Sequence, residues 1–171
     1  MQIQRLIPSQ APAYRALMLD AYALHPEAFS SSVVERGALP LAWWQARLDP
    51  APLARELVLG ALCEGELAGV AGLSFDGREK ARHKATLFGM YIAPRWRRHG
   101  YARQLLGAAL AQAVARPGVE LLQLTVTQGN HAAQALYETC GFVQFGLEPH
   151  ALALDGQYVS KAHMWRALDW R

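Results

Sequence analysis

A basic turn followed at once by a helix is the segment of this sequence best suited to bind an anion. Residues 97–102 read Arg-Arg-His-Gly-Tyr-Ala, after a strand-like run ending at residue 92. Unpaired backbone N–H groups and the helix dipole favour a phosphate at a helix N-terminus. Gly100 removes a side chain where a phosphate would approach, and Ala102 keeps the next contact small. The segment predicts a binding site for a pyrophosphate-containing cofactor, with further charge from Arg95; its residues are Met90, Tyr91, Ile92, Arg97, Arg98, His99, Gly100, Tyr101 and Ala102.

The alternative for this turn is an ordinary solvated helix start. Neither of the two better-known phosphate loops, Gly-x-x-x-x-Gly-Lys-(Ser/Thr) and Gly-x-Gly-x-x-Gly, occurs in the sequence. The basic residues cluster in 95–103 and the net charge is only +3. A small polyanionic cofactor is therefore expected as the partner rather than nucleic acid.

A second segment, residues 130–142, predicts a short amphipathic helix. Asn130 is a suitable N-cap, and Gly141 can adopt the left-handed conformation that ends many helices. Seven residues at about 100° each return nearly to the starting direction, so Asn130 and Tyr137 face the same way, about 10 Å apart along the axis. Helical spacing also relates the apolar residues Ala133, Leu136 and Cys140.

Both segments resemble those of the GCN5-related N-acetyltransferase (GNAT) superfamily. The spacing Arg97-x-x-Gly100-x-Ala102 is similar to its acyl-CoA signature, and residues 130–142 are similar to its Asn-x-x-Ala-x-x-Leu-Tyr-Glu-x-x-Gly-Phe segment. Residues 25–31 and 152–164 look like a bacterial subgroup of these enzymes. The resemblance implies an α/β (α+β) fold with a mixed, mostly antiparallel sheet of about seven strands. The sheet would be splayed between strands 4 and 5, with helices on both faces.

The resemblance also implies an activity, in which acetyl-CoA donates an acetyl group to a primary amine of a small molecule or peptide by direct attack. Tyr137 would be the general acid that protonates the CoA thiolate, and Asn130 would hold the pantetheine arm. Backbone N–H groups of the strand at residues 90–92 would polarise the thioester carbonyl. The alternative for Tyr137 is a core tyrosine whose hydroxyl is bound to a neighbour.

The general base is not assigned by the sequence. Many relatives place a glutamate where Thr86 or Thr125 stands here, and a threonine cannot serve as a base at neutral pH. Water relayed by polar groups, or a carboxylate from elsewhere, remains to remove the proton. The candidate carboxylates are Glu27, Glu35 and Glu148.

The acceptor is expected to bind against the irregular segment 25–48, through Phe29, Trp43 and Trp44. The alternative for these aromatic residues is ordinary core packing. The segment contains few carboxylates, which argues against a polyamine acceptor. A small amine and an N-terminal peptide amine both remain open, as does the choice of acyl group.

Length and composition fit one domain over residues 1–171. With 52% hydrophobic residues the chain can bury a single sizeable core. No apolar run is long enough for a membrane span or a signal peptide, so a cytoplasmic protein without a membrane partner is expected. The two cysteines, Cys63 and Cys140, form no disulfide or metal framework. Cys140 is interpreted as a core residue rather than an acyl carrier, and a homodimer is left open.

Periodicity and turn residues predict alternating strands and helices. Strands are expected over 3–7, 57–63, 67–75, 83–93, 119–127, 142–147 and 157–168. Helices are expected over 9–24, 41–48 and 101–116, with a fourth starting at Asn130. Two other functions compete with catalysis, namely a CoA-binding sensor or degenerate family member without turnover, and nucleic-acid binding through the arginine cluster.

Overall fold

Seven strands and five helices account for the regular structure of the computed structural model, which describes residues 1–168. The strands are β1 (Gln2–Arg5), β2 (Glu56–Cys63), β3 (Glu66–Phe75), β4 (Lys84–Ile92), β5 (Leu121–Thr127), β6 (Val143–Leu154) and β7 (Gln157–Ala167). The helices are α1 (Ala11–Leu24), α2 (Val33–Gly37), α3 (Leu41–Ala46), α4 (Tyr101–Ala115) and α5 (His131–Thr139). Within the described residues, no helix combines the length and apolar content needed to cross a membrane.

The strands form one sheet in the order β1-β2-β3-β4-β5-β7-β6. Only β4 and β5 run parallel, and the other neighbouring pairs are antiparallel. Helix α1 packs on one face of the sheet and α4 on the other. This confirms the predicted fold class, a mixed and mostly antiparallel sheet of seven strands with helices on both faces.

Side-chain alternation along the strands supplies the two cores. In β2, Leu57 and Leu59 face α4, whereas Val58 between them faces α1, as the two-residue period of a strand requires. Leu105 and Leu106 of α4 are fully buried on the first face. The second core is built around Tyr14, Met18, Trp44, Leu48, Val70 and Tyr91.

Two elements differ from the sequence-based prediction. Helix α2 was not predicted, because five residues are too few for a periodic apolar pattern. Its start nevertheless carries a capping box, in which Ser32 and Glu35 bond to each other's backbone N–H groups. Strand β6 was expected to end at residue 147 but continues to Leu154, because an irregular register around Pro149 interrupts the alternation that would have revealed it.

A bulge in β4 lies where the sheet opens. Val70 pairs with Tyr91 and Gly72 pairs with Phe88, so β4 contains one extra residue between them. Gly89, in this stretch, has φ +58, a left-handed conformation that favours glycine. Strand β4 pairs with β5 only from Lys84 to Thr86. Beyond Thr86, the residues of β4 do not pair with residues of β5.

The segment 25–32 lies over the gap between β4 and β5, with hydrogen bonds to the β5–β7 side and an aromatic contact to β4. The hydroxyl of Thr127, at the end of β5, donates to the Glu27 carbonyl at 2.6 Å. The Lys161 ammonium of β7 donates to the Ser30 hydroxyl at 2.8 Å. Between these two bonds, Phe29 packs edge-on against Tyr22 of α1, and it also contacts Tyr91 of β4.

The bulge generates a stability prediction. Gly89→Ala should lower the free energy of unfolding by about 1 kcal/mol, because alanine is strained at positive φ. The new Cβ would meet only the end of Met18 at 3.7 Å, so steric overlap adds little. Gly107→Ala is the matched control, because it lies in α4 with open space around its Cβ. The control should raise stability by about 0.5–1 kcal/mol. Urea unfolding of both variants checks this, and an unchanged Gly89→Ala midpoint would contradict the role given to the bulge.

Candidate active site

Two cavities meet in the gap between β4 and β5. The larger has a volume of about 680 Å³ and extends toward the N-terminus of α4; we call it the cofactor-side cavity. The smaller, of about 290 Å³, extends toward α1 and α2; we call it the acceptor-side cavity. The residues that line both are Ala28, Phe29, Met90, Thr127, Asn130, Ala133 and Tyr137. A molecule in either cavity would therefore approach the same small set of side chains.

The N-terminus of α4 is open toward an anion. Gly100 is the N-cap, with φ +75, and no side chain caps the helix. A Cβ built on Gly100 would meet nothing within 4 Å, so the backbone is exposed to an approaching group. The first N–H groups of a 15-residue helix therefore point out without a capping acceptor. This arrangement suits a phosphate of CoA.

Arg97 is held at the mouth of the cofactor-side cavity by two hydrogen bonds. Its Nε donates to the Ile92 carbonyl at 3.0 Å, and its Nη2 lies 2.9 Å from His25 Nε2. Because a guanidinium only donates, His25 Nε2 must accept this bond. The ring proton of a neutral His25 then lies on Nδ1, which is 3.6 Å from the Glu27 carboxylate.

The other basic residues of the turn, Arg95, Arg98 and His99, differ in their contacts. Arg98 is exposed, with φ +65. His99 Nδ1 bonds to the Arg97 carbonyl at 2.7 Å, and its ring stacks on Tyr101 at 5.3 Å. Arg95 instead forms an ion pair with Glu66 in the β2–β3 hairpin, so the charge predicted from it is neutralised away from the helix N-terminus.

Asn130 and Tyr137 share one face of α5, as their spacing predicts, and both reach the junction of the cavities. The Asn130 Oδ1 accepts from the Ala133 N–H at 3.2 Å and caps the helix. This leaves the amide NH₂ to donate to a ligand. The Tyr137 ring is buried and packs edge-on against Phe142 at 5.8 Å.

The Tyr137 hydroxyl has a weak partner. It contacts the Met90 Sδ at 3.8 Å, and a thioether sulfur is a poor hydrogen-bond acceptor. Burial raises the pKa of Tyr137 to about 12, so the group keeps its proton at every physiological pH. The hydroxyl can therefore donate to an acceptor placed between the two cavities.

The two threonines that replace the family's glutamates both line the acceptor-side cavity. Thr86 accepts a hydrogen bond from the Gln123 amide at 3.1 Å. Thr125 lies on β5, where pairing with β4 has ended. No aspartate or glutamate is among the described residues that line this cavity. The described walls therefore offer no carboxylate in place of the two glutamates.

The three carboxylates considered as bases lie outside the acceptor-side cavity. Glu27 lines the cofactor-side cavity, near His25. Glu35 caps α2, where hydrogen bonds from Ser32 lower the pKa of its carboxyl and so weaken it as a base. Glu148 of β6 bonds to His163 Nε2 at 2.9 Å.

The aromatic residues predicted to contact the acceptor have different positions. Phe29 lines both cavities. Trp43 and Trp44 line neither of them. Trp44 is fully buried and packs edge-on against Tyr14 at 5.4 Å, so its position is that of a core residue. Trp43 lies behind the cavity wall and stacks on two guanidinium groups that do reach the cavity.

Several polar residues of the acceptor-side cavity were not singled out by the sequence analysis, and four of them have large side chains: Tyr22, Arg36, Arg47 and Lys161. They come from α1, α2, the turn after α3, and β7, so no local spacing relates them. No local signal distinguishes Lys161, because polar and apolar residues are mixed along β7. Cys140, by contrast, packs against the core and lines neither cavity.

Comparison with known proteins defines the class to which this fold and site belong. The profile of the Acetyltransferase (GNAT) family matches residues 14–142. The chain therefore belongs to the GNAT family of acetyltransferases.

Among curated relatives, the L-amino acid N-acetyltransferase AaaT of Escherichia coli is 28% identical over 123 residues, covering 72% of this chain and 74% of that enzyme. The [ribosomal protein bS18]-alanine N-acetyltransferase of Haemophilus ducreyi is 44% identical over 61 residues. That match covers 36% of this chain and only 41% of the ribosomal-protein enzyme. The similarity to the second relative is therefore confined to part of the domain.

Solved structures agree over nearly the whole chain. A GNAT-family acetyltransferase from Streptococcus pneumoniae has a TM-score of 0.86 at 26% identity, covering 98% of this chain and 99% of that one. The acetyltransferase yncA of Salmonella typhimurium, solved with its cofactor acetyl-CoA, has a TM-score of 0.79 at 22% identity, covering 99% and 94%. The second likeness, at this identity, concerns the fold.

The open helix N-terminus generates a binding prediction. CoA at about 100 times its Kd should raise the melting temperature by about 5–10 °C. Gly100→Asp should abolish this shift, because it brings a carboxylate to the place of a phosphate. Gly118→Asp, at the other end of α4, is the matched control: Gly118 also has positive φ (+80) and open space around its Cβ. Differential scanning fluorimetry checks both variants, and equal CoA protection in the two would place the phosphate site elsewhere.

Proposed function

We propose that the protein is an N-acetyltransferase that transfers an acetyl group from acetyl-CoA to a primary amine of a small molecule or peptide. The observation that carries the proposal is the position of the Tyr137 hydroxyl where the cofactor-side and acceptor-side cavities meet. A donor in one cavity and an amine in the other would react beside a group able to protonate the leaving thiolate.

The residues present fit CoA along the whole cofactor-side cavity. The pyrophosphate would bind the N–H groups at Gly100, Tyr101 and Ala102, near the guanidinium groups of Arg97 and Arg98 and the imidazole of His99. The pantetheine arm would lie along β4, beside Met90, Tyr91 and Ile92. This stretch of β4 is unpaired toward β5, so its backbone can bond to amide groups of a ligand, and the Asn130 NH₂ can add a further donor.

Bound acetyl-CoA would supply the electrophilic carbonyl and a thiolate leaving group. The chain makes three contributions to the transfer: it holds the amine, polarises the carbonyl and protonates the leaving sulfur. The walls of the acceptor-side cavity hold the amine against that carbonyl, so that an N–C bond forms as the C–S bond breaks. Backbone N–H groups at the bulge polarise the carbonyl. Tyr137 donates its proton to the departing sulfur, and the proton lost by the amine leaves to water.

Water is favoured as the proton acceptor because the described walls of the acceptor-side cavity contain no carboxylate. Polar groups able to order such water are present, namely the hydroxyls of Ser31, Thr86 and Thr125. Glu27 and Glu148 would act only through a longer relay. The amine must then reach the site mostly unprotonated.

A CoA-binding sensor without turnover is the second candidate, and the missing glutamates are the observation that favours it. Release of free thiol from acetyl-CoA in the presence of an amine library separates the two functions.

The names of two relatives support an amine acceptor, since AaaT acts on L-amino acids and the Haemophilus ducreyi enzyme on an alanine of a ribosomal protein. The acetyl group, a cytoplasmic location and a homodimer remain predictions for this chain.

The role of Tyr137 is tested by removing only its hydroxyl. Tyr137→Phe should lower kcat by on the order of 10²-fold, the low end for general acid catalysis, because a thiolate is a fair leaving group. Acetyl-CoA protection in thermal melts should change little. Tyr14→Phe is the matched control, since burial raises the pKa of Tyr14 to about 12 as well but its side chain lines neither cavity. Turnover of Tyr137→Phe within about twofold of the Tyr14→Phe rate would make the hydroxyl structural.

The pH dependence of kcat/KM for the amine should follow the acceptor. The neutral fraction of an amine rises with pH, whereas Tyr137, with a pKa raised to about 12, keeps the proton it must donate up to about pH 10. Activity should therefore rise and then level off at a pH that tracks the amine pKa. The measurement compares the pH profiles of kcat/KM for two acceptors of different amine pKa. A midpoint shared by both acceptors, and removed by Glu27→Gln or Glu148→Gln, would reveal a dedicated carboxylate base.

A further inference from the structure

The charged side chains around the acceptor-side cavity are all cationic. Arg36, Arg47 and Lys161 line it, and no described carboxylate does. An acetyltransferase that bound a polyamine would need the opposite sign, because two like charges repel strongly where water is excluded. The positive charge of the lining side chains therefore favours an acceptor with an anionic group over a polyamine.

Arg47 does not supply free positive charge. Its Nε and Nη2 bond to the two carboxylate oxygens of Glu56 at 2.8 and 3.3 Å. The guanidinium also lies between two aromatic rings, 4.7 Å from the centre of Trp43 and 4.5 Å from that of Phe88. Arg47 is therefore a neutralised and fixed part of the wall.

Arg36 has no such counter-ion. Its guanidinium stacks on Trp43 at 4.5 Å, and it lies near the Tyr22 hydroxyl, where it opposes the rise that burial causes in the pKa of Tyr22. Its Nε is buried without a hydrogen-bond partner, and no described carboxylate lies within 4.0 Å of its nitrogen atoms. Arg36 as a whole is half-buried, but its buried Nε lacks a hydrogen-bond acceptor, which an anionic ligand would supply.

Lys161 also lines this cavity and also lacks a described carboxylate within 4.0 Å. Its side chain is buried, and its ammonium donates to the neutral hydroxyl of Ser30. Glu148 is its partner in the β6–β7 register, but that carboxylate bonds to His163 and lies beyond ion-pair distance from Lys161. Burial lowers the pKa of Lys161, and Glu148 opposes the shift without cancelling it.

Both cations line the same small space that reaches Met90 and Tyr137. We propose that the acceptor is a small molecule with a carboxylate and a primary amine, in which Arg36 and Lys161 bind the carboxylate and the amine points to the Tyr137 junction. A planar guanidinium matches the two oxygens of a carboxylate, and a volume of about 290 Å³ lies at the small end of ligand sites. The proposal rests on the acetyltransferase function proposed above.

The test compares acids with their amides. Glycine and the L-amino acids other than proline and cysteine are each offered with acetyl-CoA, beside the matching amino acid amide, and thiol release is followed. The best acid should exceed its amide by about tenfold or more in kcat/KM, the effect of a hydrogen bond to a charged group. The amide has the less basic amine, so amine ionisation works against this result and cannot produce it. Putrescine, a diamine, should be the poorest acceptor.

Arg36→Gln and Lys161→Gln should each reduce the acid-to-amide ratio toward one, mainly through KM. Arg15→Gln is the matched control, because Arg15 also has a buried, unpartnered Nε and donates to the Gly37 carbonyl at the end of α2, yet does not line the cavity. Arg15→Gln should keep the parent ratio. Acetyl-CoA protection in thermal melts verifies that each variant is folded.

A binding measurement separates failure of this proposal from failure of the proposed function. N-acetyl amino acids and N-acetyl amino acid amides are titrated into the CoA-loaded protein, and thermal shifts are recorded. Preference for the acids that is lost in Arg36→Gln supports the proposal even if no amine is turned over, in which case the proposed catalysis fails alone. Equal behaviour of acids and amides in the parent, or a preference unchanged in both glutamine variants, would overturn it.

Discussion

The structure depends on the point at which two parallel strands stop pairing. Strands β4 and β5 share only three residue pairs before they diverge, and the one-residue bulge at Gly89 turns β4 away. A continuous sheet would satisfy the inner edges of both strands with each other. Here those edges instead face two cavities. Backbone N–H and C=O groups that would otherwise pair between the strands can therefore bond to a ligand. The helices that follow each strand, α4 and α5, begin beside the same gap.

The divergence also explains how a core residue comes to lie at the proposed reaction site. Tyr137 packs in the same apolar cluster as Leu124 and Phe142, as any inward-facing residue of α5 would. Because the sheet is open on that side, the tip of the ring emerges at the junction of the cavities. The sequence left a core position and a catalytic role as alternatives for this tyrosine. The structure shows the core position, and the proposed catalytic role concerns the other end of the same side chain.

The sequence predicted well whatever depends on local order. The turn before α4 and the start of α5 are contiguous motifs, so Gly100, Ala102, Asn130 and Tyr137 could be placed on their elements by spacing alone. The acceptor side is different, because its walls come from α1, α2, β4, β5 and β7. Spacing within one segment cannot relate Arg36 to a lysine on a distant strand. The aromatic residues predicted there from their residue type alone have different positions, with Phe29 at the cavity and Trp44 in the core.

The separation of the two cavities along the chain has an evolutionary consequence. The face that fits CoA is formed by β4, α4 and α5, while Arg36 lies on a five-residue helix and Lys161 on a strand beyond the segment that matches the family profile. Mutations in α2 and β7 can alter the charge presented to an incoming molecule without disturbing either motif. Paralogues could thus drift in what they modify while their shared signature stays intact, and a signature-based assignment would register none of that change.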